Sequence, residues 1–183
     1  MFARTARLLL RPGFPEDAPA LVNAIADEAI VRNLATAPWP YRMRDAEAFL
    51  ASPRDPVLPS LLIFERGEGA PQLVGSCGLG RRPSGAVELG YWIARRFWGR
   101  GYATEAGAAL VDIGRALGFR QLEASHFIDN PASARVLEKL GFESTGLIAP
   151  RMNCARGTEV PARLMRMKLS AAMLEEDEEA LAA

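Results

Sequence analysis

Apolar and polar residues alternate with two different periods along this chain, and the period changes near residue 58. Before that point, Ala6–Arg11 is predicted to form a short strand that ends at a Pro-Gly pair. Pro15–Ala29 has apolar residues at helical spacing, and Asp45–Ala51 predicts a second short helix with Asp45 as its cap. After that point, three strand-like stretches separated by glycine and proline turns predict an antiparallel meander: Leu58–Glu65, Gln72–Leu79 and Val87–Ala94.

Two further helices and three further strands are predicted after the meander. Tyr102–Leu117 has its apolar residues on one face, and Gly118 follows it as a helix-ending residue. Pro131–Leu140 is predicted to be a helix with Asn130 as its cap and Gly141 at its exit. The strands are Gln121–Ile128, Phe142–Leu147 and Ala162–Leu169. The predicted fold class is α/β (α+β), with a mixed, mostly antiparallel sheet of about seven strands flanked by about four helices.

Length and charge limit the classes of protein to which the chain can belong. Its 183 residues, 49% of them hydrophobic, predict one domain over residues 1–170 and an acidic tail over residues 171–183, which contains Glu175–Glu179. The 22 basic residues equal the 22 acidic ones, so only the domain without its tail has a small positive surplus. That surplus is too small to predict a nucleic-acid partner, and it is compatible with one small polyanionic ligand.

The apolar runs and the cysteines exclude further classes. The run Leu8–Leu10 is far shorter than the ~20 residues that span a bilayer, and no signal sequence follows Met1. We therefore expect a cytoplasmic protein that contacts no membrane. Cys77 and Cys154 are far apart and belong to no CxxC pair, so neither a metal site nor a disulfide scaffold is predicted. Cys77 lies in an apolar stretch and is expected to be buried.

A glycine-rich loop between a strand and a helix is the strongest sign of a binding site. Within Tyr91–Ala103, Gly99 and Gly101 permit a tight turn and leave no Cβ between the backbone and a ligand. A helix N-terminus attracts phosphate through its free N–H groups and its dipole, and Arg96 and Arg100 add positive charge. The loop lacks the third glycine of the dinucleotide fingerprint, and the chain has no P-loop. On the pattern alone, a tight turn and an anion site both remain open.

Two motifs resemble those of a known enzyme family. Arg96-Phe97-Trp98-Gly99-Arg100-Gly101 matches the GNAT N-acetyltransferase signature: Gln or Arg, two residues, Gly, one residue, then Gly or Ala. The Tyr-Ala-Thr-Glu-Ala that follows, and the segment from Asn130 to Phe142, are similar to the RimJ/RimL branch of ribosomal-protein N-terminal acetyltransferases. The opening segment from Arg7 to Pro12 is similar too, so the resemblance covers residues 6–169.

The resemblance implies a GNAT fold that binds acetyl-CoA as co-substrate in a splay between the fourth and fifth predicted strands, Val87–Ala94 and Gln121–Ile128. It implies that the pantetheine arm pairs with the fourth strand near Ile93 and Ala94 like an added strand, and that Asn130 faces the cofactor. The residues that it places around the pyrophosphate belong to the loop and the first helical turn: Arg96, Gly99, Arg100, Gly101, Tyr102 and Ala103.

The resemblance also implies a reaction and its partners. An amine attacks the thioester directly, without an acyl-enzyme, so the two thiols take no part. The acceptor is predicted to be a primary amine, either a protein N-terminus or a small molecule, and a homodimer is one option for assembly. A rival hypothesis keeps the fold and the CoA site without catalysis, as a non-catalytic CoA-binding module. The family builds its acceptor groove at positions that correspond here to Trp39, Tyr41, Arg42 and Met152–Glu159, although Trp39 is equally suited to the core.

Direct transfer needs a base for the amine and benefits from a proton for the departing thiolate. Glu88 is the candidate base because its strand leads to the loop, and the alternative is a surface carboxylate. The RimJ/RimL resemblance implies Ser133 for the thiolate, and the alternative is a first-turn residue bonded to the backbone. Leu137 stands where many GNAT enzymes have a tyrosine, and it cannot give a proton. His126 is a further base candidate, although a lone strand histidine is more often structural.

Overall fold

Within the residues that the computed structural model describes, 1–67 and 69–169, eight strands form one mixed sheet and five α-helices pack around it. The strands are β1 (Ala3–Arg4), β2 (Leu8–Arg11), β3 (Ser60–Glu65), β4 (Gln72–Arg81), β5 (Val87–Ile93), β6 (Gln121–Phe127), β7 (Glu143–Asn153) and β8 (Thr158–Lys168). The helices are α1 (Ala18–Ile25), α2 (Glu28–Val31), α3 (Met43–Ala51), α4 (Tyr102–Ala116) and α5 (Pro131–Leu140). Their arrangement confirms the predicted mixed, mostly antiparallel fold, with one strand (β1) and one α-helix (α2) more than the sequence predicted.

The region before the meander differs most from the prediction. The helix predicted over Pro15–Ala29 is divided, because Asp27 is extended and its side chain accepts a hydrogen bond from the N–H of Ala29 (2.9 Å), which caps α2. A 3₁₀ turn over Pro15–Asp17 precedes α1. The prediction that Asp45 precedes α3 as its cap is wrong: Asp45 lies in the first turn, and its carboxylate accepts from the N–H of Arg42 (2.7 Å).

The last two strands are longer than predicted. Strands β7 and β8 have 11 residues each and form a hairpin that closes at the pair Asn153–Thr158. The segment Met152–Glu159, expected from the resemblance to contribute to the acceptor groove, is therefore the closed end of that hairpin. Strand β7 is the sheet edge and most of its residues are exposed, so it lacks the alternation of apolar and polar residues that marks a strand in sequence. The predicted acidic tail over residues 171–183 lies outside the described residues.

A continuous apolar core holds the sheet and helices together. Its largest side chains with less than 2% exposure include Leu8, Leu10, Leu21, Leu61, Leu62, Ile63, Leu110, Leu122 and Leu137. Cys77 belongs to this core, as predicted, and burial raises the pKa of its thiol to about 12. In the part of the chain that the structure describes, the helices are all too short or too polar to cross a membrane.

The sheet opens between β5 and β6. The order of strands is β1-β2-β3-β4-β5-β6-β8-β7, and each neighbouring pair is antiparallel except β5 and β6. These two parallel strands pair at one position only, Glu88 with Glu123, whereas β5 pairs with β4 along its whole length. Beyond Glu88 the two strands diverge towards their carboxyl ends. The diverging strands correspond to the fourth and fifth predicted strands, so the opening lies where the splay was expected.

Candidate active site

A cavity of about 1300 Å³ extends through the opening between β5 and β6. It is large enough for an extended cofactor arm together with a small acceptor, since typical ligand pockets measure ~300–1,000 Å³. The predicted site residues on its wall are Glu88, Ile93, Gly99, Gly101, Tyr102, Ala103, Asn130 and Ser133. Ala94, Arg96 and Arg100 lie next to wall residues in sequence but are not part of the wall. One cavity therefore unites the predicted phosphate loop with both predicted catalytic side chains.

The glycine loop ends at the N-terminus of α4, on the cavity wall. Gly99 and Gly101 have φ angles of 77° and 80°, in the left-handed region that glycine adopts without strain. Space is not the reason for glycine here, because a Cβ on Gly99 would meet no atom within 4 Å. The first hydrogen bond of α4 runs from the N–H of Glu105 to the carbonyl of Gly101 (3.0 Å), so the N–H groups before Glu105 have no intrahelical partner. These free donors suit a diphosphate.

Arg7 holds the loop from the opposite side. Its Nη1 donates to the carbonyl of Arg100 (2.9 Å), and its Nε donates to the Glu105 carboxylate (2.7 Å). Its guanidinium carbon lies 4.6 Å from the centre of the Tyr102 ring. The Glu105 carboxylate also accepts from Thr5 Oγ1 (2.6 Å), and these donors outweigh burial and hold the pKa of Glu105 below its usual value. The start of the chain thus fixes the loop to the first turn of α4.

The two arginines of the loop are free to meet an anion. Arg96 and Arg100 are exposed, and their guanidinium carbons lie 4.9 and 5.1 Å from the centre of the Phe97 ring. Within residues 1–67 and 69–169, neither forms a salt bridge with a carboxylate. By contrast, Arg95 lies 3.4 Å from a carboxylate oxygen of Asp27. The positive charge predicted for this loop is therefore not neutralised by the described protein.

The end of β5 already uses part of its backbone hydrogen-bonding capacity. The carbonyl of Ile93 accepts from the indole N–H of Trp98 (2.6 Å), and the N–H of Ala94 donates to the carbonyl of Val74 (2.8 Å). A carbonyl oxygen has two lone pairs, so Ile93 can still accept a second bond from a pantetheine amide. The predicted pairing of the pantetheine arm near these residues stays a prediction.

The start of α5 brings two polar side chains to the cavity, Asn130 and Ser133, beside Tyr91 of β5. Asn130 caps the helix, as predicted, because its Oδ1 accepts from the N–H of Ser133 (3.2 Å). The hydroxyl of Tyr91 lies 2.9 Å from Oγ of Ser133 and 3.3 Å from its carbonyl oxygen. Burial raises the pKa of Tyr91 to about 12, so this phenol is protonated at neutral pH. Leu137 is on the same wall and is 1% exposed, and it supplies no polar group.

Glu88 faces the cavity from β5 and is held by an ion pair. Its two carboxylate oxygens accept from Nη1 and Nη2 of Arg151 (2.5 and 3.1 Å), and Oε1 also accepts from Oγ of Ser125 (2.8 Å). Arg151 Nη1 also bonds to Ser125 Oγ. Burial alone raises the pKa of Glu88, but the bonds from Arg151 and Ser125 and the charge of Arg82 outweigh it and lower the pKa. Glu88 is therefore an ionised cavity carboxylate rather than an exposed surface one.

His126 lies on the wall of the cavity, on the opposite face of the sheet from Glu88. It alternates along β6 with Ser125, the residue that bonds to Glu88. Its Nδ1 is 2.9 Å from the carbonyl oxygen of Phe127, and because a carbonyl only accepts, Nδ1 carries the hydrogen. Nε2 is buried and has no partner among the described residues. The geometry thus separates His126 from the Glu88 cluster.

The predicted acceptor residues are only partly gathered at the cavity. Tyr41 lies on its wall and is buried, and burial raises the pKa of its phenol to about 12. Trp39 and Arg42 are not on the wall, and Trp39 is 41% exposed, so it is not a core residue. Within Met152–Glu159, Cys154 reaches the wall. The acceptor side of the cavity is thus formed by α2, the segment before α3, α3 itself, and the hairpin of β7 and β8.

Sequence reasoning did not identify three residues that organise this site: Arg7, Tyr91 and Arg151. Each contacts a predicted site residue that is distant in the chain, at separations of 93, 42 and 63 residues for the pairs with Arg100, Ser133 and Glu88. The position of Tyr91 in the sequence could have indicated a site residue, because it lies three residues after Glu88 on the strand that leads to the loop. No such indication existed for Arg151, because its strand was predicted to end at Leu147.

Comparison with known proteins gives the family. The chain matches the model of the acetyltransferase (GNAT) domain over residues 7–143. An uncharacterized N-acetyltransferase of Bacillus licheniformis, p20, is 29% identical over 153 residues, which cover 79% of this chain and 83% of that protein. An acetyltransferase structure from Agrobacterium tumefaciens strain C58 is 27% identical, with a TM-score of 0.69 and coverage of 92% of this chain and 95% of that one.

A solved structure of RimL, a ribosomal L7/L12 alpha-N-protein acetyltransferase in complex with coenzyme A, has a TM-score of 0.79 at 18% identity. The match covers 94% of this chain and all of that one, and it shows the shared fold. The family model spans well over half of the chain, and the phosphate loop and the open sheet agree with it. The chain therefore belongs to the GNAT acetyltransferase family, and it is an acetyltransferase whose co-substrate is acetyl-CoA.

Proposed function

We propose that the protein transfers an acetyl group from acetyl-CoA directly to a primary amine, with Glu88 as the base and Ser133 beside the departing sulfur. The observation that carries the proposal is the single cavity that contains the glycine loop, Glu88 and Ser133. The acceptor is a small-molecule amine or a protein N-terminus. The second option is supported by the similarity to RimL and by the motifs of the RimJ/RimL branch.

The acetyl thioester supplies an activated carbonyl carbon. The nitrogen of the acceptor attacks this carbon, the new C–N bond forms, and the C–S bond breaks. The amine loses one proton to the Glu88 carboxylate, directly or through one water molecule. The sulfur leaves as a thiolate and takes up one proton to give free CoA. The protein's contribution is to orient the two substrates and to place charges where they change during the reaction.

Glu88 is suited to accept a proton because it is ionised and lies on the cavity wall. Its lowered pKa makes it a weak base, so its larger effect is to hold the amine and to stabilise the positive charge that develops on the attacking nitrogen. Arg151 occupies the same carboxylate oxygens, so an acceptor amine must displace or share that contact.

Ser133 is suited to stabilise the sulfur through its hydroxyl. The Tyr91 phenol contacts both Oγ and the carbonyl oxygen of Ser133, and a donor that points at Oγ leaves the Ser133 hydrogen available for the thiolate. A phenol with a pKa of about 12 does not give its proton to a thiolate whose conjugate thiol has a pKa of ~8.5. We therefore assign to this pair a hydrogen-bonding role rather than net proton donation.

Release of the free CoA thiol, measured with a panel of amines and short peptides, tests the proposal. We expect Glu88→Gln to lower kcat by ~10²–10⁴-fold with unchanged acetyl-CoA affinity. Ser133→Ala is expected to cost about tenfold in kcat, less than Glu88→Gln. Glu138→Gln, which changes an exposed carboxylate on α5, is the control. Binding of acetyl-CoA without thiol release for every acceptor would favour the non-catalytic module.

A further inference from the structure

The acceptor side of the cavity contains an ion pair that links two strands across the opening. Glu88 on β5 and Arg151 on β7 form two hydrogen bonds, of 2.5 and 3.1 Å, in the side-by-side geometry of a carboxylate and a guanidinium. Both residues lie on the cavity wall, and their side chains are 18% and 28% exposed. The pair thus occupies the position at which the proposed base would meet the acceptor amine.

The charges behind this pair are almost balanced. Nη1 of Arg82 lies 3.6 Å from Oε1 of Glu88 and 3.9 Å from Oε2 of Glu123. Nη2 of Arg166 lies 3.2 Å from Oε1 of Glu123. With Arg151, three guanidinium groups therefore surround two carboxylates. The cluster has one positive charge in excess, so it contains no spare carboxylate to neutralise Arg151 if Glu88 is taken away.

An acceptor that bears only an amine disturbs this balance. When its ammonium pairs with Glu88, the guanidinium of Arg151 loses its carboxylate and keeps only the uncharged hydroxyl of Ser125, at a position where its side chain is 28% exposed. A buried charge without a partner is strongly unfavourable. A polyamine adds further positive charge and makes the imbalance larger. The cluster therefore disfavours amines that carry no negative group.

We propose that the acceptor carries a carboxylate within a few bonds of its amine, so that its ammonium pairs with Glu88 and its carboxylate pairs with Arg151. This proposal rests on the proposed function and narrows its substrate. The exchange replaces one internal ion pair by two ion pairs with the substrate, so neither Glu88 nor Arg151 is left without a partner of opposite charge. A planar guanidinium also binds a carboxylate through two parallel hydrogen bonds, which fixes the direction of the acceptor.

The shared chemistry occurs in a free amino acid and in a peptide whose first residue is acidic, and two series of acceptors distinguish these sources. The first series is leucine, leucinamide, 3-methylbutylamine and putrescine. The second is the peptide amides Asp-Ala-Ala and Asn-Ala-Ala. Because an α-amino group beside an amide has a pKa of only ~7.7–8.0, leucinamide has more free amine at neutral pH, so intrinsic reactivity opposes the expected preference.

In one of the two series, we expect kcat/KM to be at least about tenfold higher for the acceptor with a carboxylate than for the acceptors without one. In Arg151→Met that ratio falls to about one, because the group that binds the carboxylate is gone while Glu88 remains. Arg44→Met is the control, since Arg44 lies on the neighbouring α3 and its side chain is 79% exposed. It removes the same charge near the cavity without touching the cluster, and the preference persists.

The outcomes separate this proposal from the one on which it rests. Thiol release with amines of every kind, at equal kcat/KM with and without a carboxylate, overturns the inference and leaves the acetyltransferase reaction standing. Absence of thiol release with every acceptor overturns the proposed function itself. The wild-type series alone decides the first point, so the test survives if Arg151→Met does not fold. A preference that Arg151→Met retains also overturns the assignment of the carboxylate to Arg151.

Discussion

Replacement of Arg7 by methionine tests whether the start of the chain orders the phosphate loop. The change keeps an unbranched side chain and removes the guanidinium. It removes an ion pair with Glu105 worth ~0.2–1 kcal/mol, since the Arg7 side chain is 48% exposed. It also removes the hydrogen bond to the Arg100 carbonyl, worth ~0.5–1.5 kcal/mol, and the contact with the Tyr102 ring, worth ~0.5–1 kcal/mol. We therefore expect the free energy of unfolding to fall by about 1–3 kcal/mol.

The same variant is expected to weaken acetyl-CoA binding by a smaller, calculable amount. The hydrogen bond to the Arg100 carbonyl joins Arg7 to the loop itself, so its loss should destabilise the ordered conformation of the loop by ~0.5–1.5 kcal/mol. This corresponds to a roughly 2- to 10-fold higher KM for acetyl-CoA. Chemical denaturation and steady-state kinetics measure the two effects.

Arg115→Met is the matched control for this variant. The ion pair of Arg115 with Asp112 (2.7 Å) lies near the other end of α4 and is exposed. The free energy of unfolding should therefore change by less than about 0.5 kcal/mol. Its KM for acetyl-CoA should not change. If Arg7→Met lowers stability and leaves the KM for acetyl-CoA unchanged, the idea that Arg7 orders the loop is wrong.

Three further predictions concern the loop, the pH response and the core. In Gly101→Asn the new residue tolerates a positive φ, but its side chain lies at the proposed phosphate site. Calorimetry should therefore show that acetyl-CoA binds at least about tenfold more weakly. The control Gly85→Asn, at a similar φ in a distant turn, should bind acetyl-CoA normally. Hydrogen bonds from Arg11 lower the pKa of Asp17, so the ionised carboxylate stabilises the fold. The difference in the free energy of unfolding between the wild type and Asp17→Asn should therefore be largest at pH 7, and it should disappear as the pH falls below ~4 and Asp17 becomes protonated. Leu110→Ala, at a fully buried position of α4, should reduce the free energy of unfolding by ~2–5 kcal/mol in denaturant titrations.

The features that the sequence predicted correctly are those that local signals determine. Asn130 caps α5, Gly141 has a positive φ angle directly after α5, and Gly118 has one two residues after the end of α4. Each of these conformations depends on a residue and its neighbours within one helical turn, so a single sequence contains the necessary information. The loop between β5 and α4 is of the same kind, because Gly99 and Gly101 determine its backbone directly.

The features that the sequence did not predict depend on pairing between distant segments. Arg151 reaches Glu88 only because β7 pairs with β8, and β8 pairs with β6 beside the opening. No periodicity marks β7, since an exposed edge strand needs no alternation of apolar and polar residues. Glu88 was therefore predicted as a candidate base without its partner, whereas the structure places it in an ion pair with Arg151.

The parallel pairing of β5 and β6 explains why the glycine loop and Glu88 lie on the wall of one cavity. A parallel connection needs a crossover, and α4 provides it, beginning directly after the loop at the carboxyl end of β5. The two strands pair only at Glu88 and separate beyond that residue, which leaves room between them for a cofactor arm. The free N–H groups of α4 then lie at the wide end of the opening and Glu88 at its narrow end, joined through one cavity wall. Under the proposed function, a cofactor anchored at the wide end would extend towards Glu88, so the topology would set the direction in which the acetyl group meets its acceptor.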